Sequence, residues 1–249
     1  MSIFPRSIQS LAVISFLSIG AHATLVQSFD SNALTGSGQG QSGLMNSALY
    51  IPILPSPCTS NTQMYAEGSW SVGPNANNCH GLWAPTNAQS GTGSNFLIVN
   101  GSAVNNGRIY SQVVNTGGAN SGTFSGYFTG LFVEHPANLS INVYDGVTST
   151  LLGTRSFDTN LAGGSFPPPT PTPAAWVLQS VDFAGVTGSS IVLEISLNNA
   201  VAGGNDFGVD TLDVAFRSAG AGAPTPEPAT FLLSGAALVG LALFRSERR

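Results

Sequence analysis

The chain has 249 residues, of which seven are Arg, none is Lys and twelve are Asp or Glu. Between residues 24 and 223 only three Arg (Arg108, Arg155 and Arg217) face ten acids, a net negative balance that excludes nucleic acids and anionic membrane surfaces as partners of the body. A hydrophobic content of 42% with 14 Phe excludes disorder, and about 200 residues are enough for one domain with its own core.

Residues 1–23 carry one positive charge at Arg6, an apolar run from Leu11 to Ile19, and the small-residue site Ala21-His22-Ala23. This order predicts a Sec-type signal peptide, cut after Ala23 by signal peptidase, and hence an exported body. Asp30 follows Phe29 at the start of that body. Gly36-Ser-Gly-Gln-Gly-Gln-Ser-Gly43 lacks the Lys and the following helix of a phosphate loop and reads as a plain loop.

Cys58 and Cys79 are the only cysteines, and export places them in an oxidising compartment. A disulfide is expected, closing a loop of about 20 residues and stabilising the fold by about 3 kcal/mol. The rival, a Cys-His metal site that adds His80, lacks the spacing of a zinc cage. Tyr65 and Trp70 lie inside this loop and Trp83 just after it, so the three are candidates for an aromatic platform that stacks on sugars. Burial in the core is the alternative for the same rings.

Beyond residue 90 the pattern is alternation. Strands are expected at Asn95–Val99, Arg108–Val114, around Phe124, Phe128 and Phe132, at Leu139–Tyr144, Leu151–Phe157, Trp176–Phe183, Ser190–Leu197 and Phe207–Phe216. No stretch between 24 and 218 keeps a helical apolar period. The expected fold class is all-β, a two-sheet jelly-roll sandwich over residues 24–217. The segment Phe166–Pro173, with five prolines, is expected as a stiff loop. In the last strand Asp210 has the parity of Leu212, Val214 and Phe216, which predicts it on the buried face, with Asp213 and Arg217 opposite.

No catalytic residue is assigned. Glu67, Glu134 and Glu194 are not paired by any motif, and no Gly-x-Ser-x-Gly elbow accompanies His80 or His135. A secreted glycan-active hydrolase using Glu67 or Glu134 stays open as the alternative to a non-catalytic binding or structural body.

Asn95–Gly101, Gly107–Gln112, Trp176–Phe183 and Asn205–Val214 together resemble the galactose-binding-like jelly rolls of carbohydrate-binding modules. The resemblance implies a structural Ca²⁺ held by Asp30 early in the body and Asp210 in the last strand, and oxygen-only ligation suits that ion. An Asp that caps a turn is the equal alternative for Asp210.

Ser218–Pro226 is small, flexible and uncharged, so residues 218–228 are expected as a linker. Residues 229–244 contain no charge and as a helix would extend about 24 Å, short but sufficient to span a membrane with local thinning. Arg245, Arg248 and Arg249 follow, interrupted by Glu247, and place the C-terminus in the cytoplasm. Pro226-Glu227-Pro228, the helix and the Arg-rich tail together resemble the PEP-CTERM sorting signal of Gram-negative bacteria, with residues 229–249 forming its helix and tail. The resemblance implies handling by an exosortase, a membrane cysteine protease, with Glu227 as a recognition residue. It further implies transient anchoring in the inner membrane, delivery to the cell envelope, surface or extracellular matrix, and association of the body with exopolysaccharide.

Overall fold

A computed structural model describes residues 22–30, 50–53, 56–91, 93–103, 107–164 and 171–217. The signal peptide up to Ala21, the loop at 36–43, most of the proline-rich segment, the linker, the Pro-Glu-Pro tripeptide and the C-terminal helix lie outside these residues. Among the described residues no helix is long and apolar enough to cross a membrane.

The described strands are β1 (His22–Gln27), β2 (Ile51–Pro52), β3 (Ser69–Gly73), β4 (Phe96–Asn100), β5 (Gly107–Asn115), β6 (Ser121–Gly130), β7 (Asn138–Asp145), β8 (Leu151–Asp158), β9 (Val177–Ala184), β10 (Ser190–Leu197) and β11 (Phe207–Arg217). The regular structure besides these is one 3₁₀ turn, Ala76–Asn78, capped by the Asn75 side chain. One sheet runs β2-β3-β4-β11-β6-β9, with β1 pairing the C-terminal half of β11; the other runs β5-β10-β7-β8. Strands β4 to β11 are those the alternation predicts. Phe132 is an exception: it lies beyond the end of β6 and packs outside the main core.

The two sheets face each other across one core. Leu139, Ile141 and Val143 of β7 and Ile191, Leu193, Ile195 and Leu197 of β10 meet Phe124 and Phe128 of β6, Leu212 and Val214 of β11, Leu97 and Val99 of β4, and Trp70 and Val72 of β3. Each such side chain contributes about 1.5–3 kcal/mol on leaving water, which makes this alternation the main determinant of the fold.

A second cluster covers the outer face of the larger sheet around β4. Because β4 presents Leu97 and Val99 to the sandwich and Phe96 and Ile98 to this cluster, all five of its residues are buried. The outer cluster gathers Met64, Ala76, Trp83, Ala88, Leu131 and Phe132 around the bridged Cys58 and Cys79, whose Cα atoms are 5.1 Å apart. The expected disulfide is therefore formed, and it fastens the loops that roof one end of the sheet.

Parity misplaces Asp210. The register of β11 against β6 slips between Asp210 and Asp213, at Thr211 with φ 47°, so residues of the same parity before and after this bulge point to opposite faces. Asp210 pairs with Tyr127, whereas Val209 pairs with core-facing Phe128 and Val214 with core-facing Phe124. Asp210 is fully buried, but on the outer face beneath the loop that precedes β4.

Strand β1 begins at His22, opposite Phe216, two residues upstream of the expected cut after Ala23. A cut there leaves Thr24–Gln27 of the strand.

Candidate functional site

Four connections converge where β3 and β11 begin and β4 and β6 end. They enclose a cavity of about 280 Å³ lined by Tyr65, Glu67, His80, Leu82, Asn100, Phe132, Glu134, Ala202, Gly203 and Asp206. Backbone bonds stitch the connections together: Met64 N donates to Cys79 O, Gly68 N to Gly101 O, Leu131 N to Asp206 O, and Asn205 N to His135 O.

One wall is aromatic. The His80 ring stacks on Trp83 with centroids 4.5 Å apart and receives the edge of Tyr65 at 4.3 Å. Trp83 is fully buried and Tyr65 is 51% exposed, so the stack runs from the core to the rim. Burial lowers the His80 pKa to about 4, which keeps its ring neutral at pH 7.

The other wall is acidic. Asp206, 7% exposed, accepts the Trp83 indole N–H at Oδ2 (2.8 Å) and the Gly101 amide at Oδ1 (3.0 Å). A Cβ on Gly101 would overlap the Asn205 side chain at 1.6 Å, so the approach that delivers this amide requires glycine. Burial raises the Asp206 pKa to about 7 against those two donors, and the nearby Glu67 adds to the rise. Glu67 accepts the Gly203 amide at 3.0 Å, and Gly203 sits at φ 68°, a conformation that favours glycine. Glu134 completes the wall. Its carboxylate makes no hydrogen bond or ion pair with the described residues.

The sequence-predicted residues fare differently here. Tyr65 lies on the rim, but Trp70 is a core residue of β3 and Trp83 is buried behind His80, so the three do not form an exposed platform. Their burial follows from the apolar neighbours on both faces of the sheet end. Glu67 and Glu134, which no motif joins, share one cavity. Asp206 and the place of His80 in the cavity wall escape sequence reasoning because the four connections lie far apart along the chain. The only local sign is two glycines, Gly203 and Gly204, just before an Asn-Asp pair.

Asp30 accepts the Asn95 amide at Oδ1, while Asp210 Oδ2 accepts the amides of Gln89 (2.8 Å) and Ser90 (3.3 Å) and the Ser90 hydroxyl. Asp210 Oδ1 accepts the Thr211 hydroxyl. A cation needs oxygen acceptors turned towards it, and here the buried carboxylate is surrounded by donors. This donor set fits the loop-capping role rather than Ca²⁺. Among the described residues no group of three or more His, Cys, Asp or Glu could hold a metal. The signal-peptide residue Ala21 and the sorting residues Pro226, Glu227, Pro228, Arg245, Arg248 and Arg249 lie outside the described residues.

Residues 224–249 match the PEP-CTERM protein-sorting motif. The chain therefore carries an envelope-sorting signal at its C-terminus, attached to an all-β jelly-roll body. No curated protein matches the sequence. Among solved structures, the xylan-binding domain CBM22-1 of Xyn10C from Paenibacillus barcinonensis is 18% identical, with 64% of this chain and 90% of that one covered and a TM-score of 0.34. TmCBM61, solved with β-1,4-galactotriose, is 15% identical over 51% of this chain and 73% of that one, with a TM-score of 0.35. The arabinose-bound α-L-arabinofuranosidase MgGH51 is 11% identical at a TM-score of 0.36; the match covers 49% of this chain and 19% of the enzyme's length.

Proposed function

We propose that this is an exported, exosortase-processed protein of the bacterial cell envelope or extracellular matrix whose body binds saccharide without catalysis, with exopolysaccharide as its setting. The sorting motif at 224–249 carries the envelope half of this reading. Its test is to replace Pro226, Glu227 and Pro228 by alanine and follow size and location in the native host. Retention of the uncut chain in the membrane fraction is expected, and unchanged processing and location would refute it.

The binding half is supported by the end cavity, which combines a partly exposed ring, a neutral imidazole and carboxylate acceptors in a recess of one-sugar scale. Such a recess supplies both an apolar face for a pyranose and acceptors for its hydroxyls.

A second reading, a glycan hydrolase, is favoured by the convergence of Glu67, Glu134 and Asp206 on that cavity, because glycoside cleavage commonly uses two carboxyl groups. Reducing-end release from a panel of bacterial polysaccharides, lost in both Glu67→Gln and Glu134→Gln, would establish hydrolysis in place of binding. Absence of release, with retained binding, supports the non-catalytic reading.

A further inference from the structure

Resting on the saccharide reading of the end cavity, we infer that its ligand is an amino sugar with a free ammonium group, rather than a neutral or uronic-acid unit.

Three carboxyl groups, Glu67, Glu134 and Asp206, line the cavity, and no arginine does. The chain contains no lysine. Each described arginine is engaged elsewhere: Arg108 with Glu194 at 3.4 Å, Arg217 with Asp182 at 3.2 Å, and Arg155 with the Ser180 carbonyl at 3.3 Å. His80, the one basic ring in the wall, stacks on Trp83, meets Tyr65 edge to face and offers no positive charge at neutral pH. Among the described residues the acidic wall is thus left without a counter-charge, a condition the ligand can satisfy.

The walls restrict what such a ligand looks like. An ammonium group beside Glu134 meets a carboxylate with no partner among the described residues, and Glu67 is held facing the same space by the Gly203 amide. The rings of Tyr65 and His80 offer faces and edges to the C–H side of a pyranose, and an aromatic face also attracts a nearby cation. A uronate would place a fourth carboxyl group in the recess, and like charges in a partly desolvated site repel strongly. N-acetylation would remove the charge and enlarge the substituent.

The test titrates the full-length chain in detergent micelles with D-glucosamine, methyl glucoside, N-acetyl-D-glucosamine, D-glucuronate and the diamine cadaverine by calorimetry at pH 7. Glucosamine is expected to bind at least tenfold tighter than the two neutral sugars, with no measurable heat from glucuronate. Glu134→Gln, a change at an exposed side chain, is expected to remove most of that preference by weakening glucosamine at least five-fold more than either neutral sugar. Equal affinity for glucosamine and neutral sugars overturns the inference and leaves saccharide binding standing. Cadaverine binding as tightly as glucosamine overturns the amino-sugar assignment in favour of the ammonium group alone. No heat from any sugar refutes the saccharide reading itself.

Discussion

The indole N–H of Trp83 donates to Oδ2 of Asp206 across 2.8 Å, joining residues 123 positions apart in sequence. This bond ties the segment just after the disulfide-bridged loop to the start of the last strand, beside the candidate site. Trp83→Phe keeps a ring in the core but leaves Oδ2 of a buried carboxylate without that donor. A loss of about 1–3 kcal/mol is expected in urea unfolding of the full-length chain.

Asp206 also makes stability depend on pH. Its pKa rises from 3.8 to about 7 on folding, so the folded state holds a proton that the unfolded state has released. Stability from this group therefore falls as pH rises from about 4 to 7, and conversely grows on acidification from pH 8. His80 works in the opposite sense, because its pKa drops from 6.5 to about 4 and the unfolded state binds the proton first below pH 6.5. Thermal scans are expected to show Tm rising between pH 8 and 6.5 and then levelling. In Asp206→Asn the rise should vanish.

The Cys58–Cys79 bridge closes a 21-residue separation over the outer cluster. Replacing both cysteines by serine is expected to cost about 3 kcal/mol in guanidinium unfolding. Because Tyr65 lies within the bridged loop and His80 immediately follows it, saccharide binding by the serine variant is expected to weaken more than that of a surface variant such as Thr154→Ala.

Asp210 organises the loop before β4 through the amides of Gln89 and Ser90. Asp210→Ala strips those donors of their buried acceptor, for an expected loss of about 1–3 kcal/mol. Since donors surround the carboxylate, Tm in excess EGTA and in millimolar Ca²⁺ should agree within error. A Ca²⁺-dependent rise would restore the ion that the resemblance to carbohydrate-binding modules implies.

Strands β4 to β11 are legible in the sequence because most have one face in the core and one towards solvent, so apolar residues recur at every second position. Ile191, Leu193, Ile195 and Leu197 of β10 are the clearest case, each buried between partly exposed neighbours. Strand β3 is not legible: all five residues from Ser69 to Gly73 are buried, so Trp70 and Val72 alternate with small residues packed on the other side and carry no solvent-facing signature. Asp210 is misread for a different reason. One extra residue in the bulge at Thr211 reverses parity, and a bulge of this kind at a Thr has no local sequence mark. The candidate site is the least legible part. Glu67, His80, Glu134 and Asp206 come from four connections, and only the closure of both sheets brings them together.

Strand β11 begins one residue after Asp206, at the cavity, and ends at Arg217, where the chain continues into the sorting segment. At about 3.3 Å per residue its 11 residues span about 35 Å. Were a ligand held in the recess while the chain is tethered beyond Arg217, the pull would run lengthwise down this strand. β6 flanks it on one side and β4 then β1 on the other, so the force acts in shear on both ladders together instead of peeling them bond by bond. β11, which pairs with β1, β4 and β6, would then lie along the line of tension.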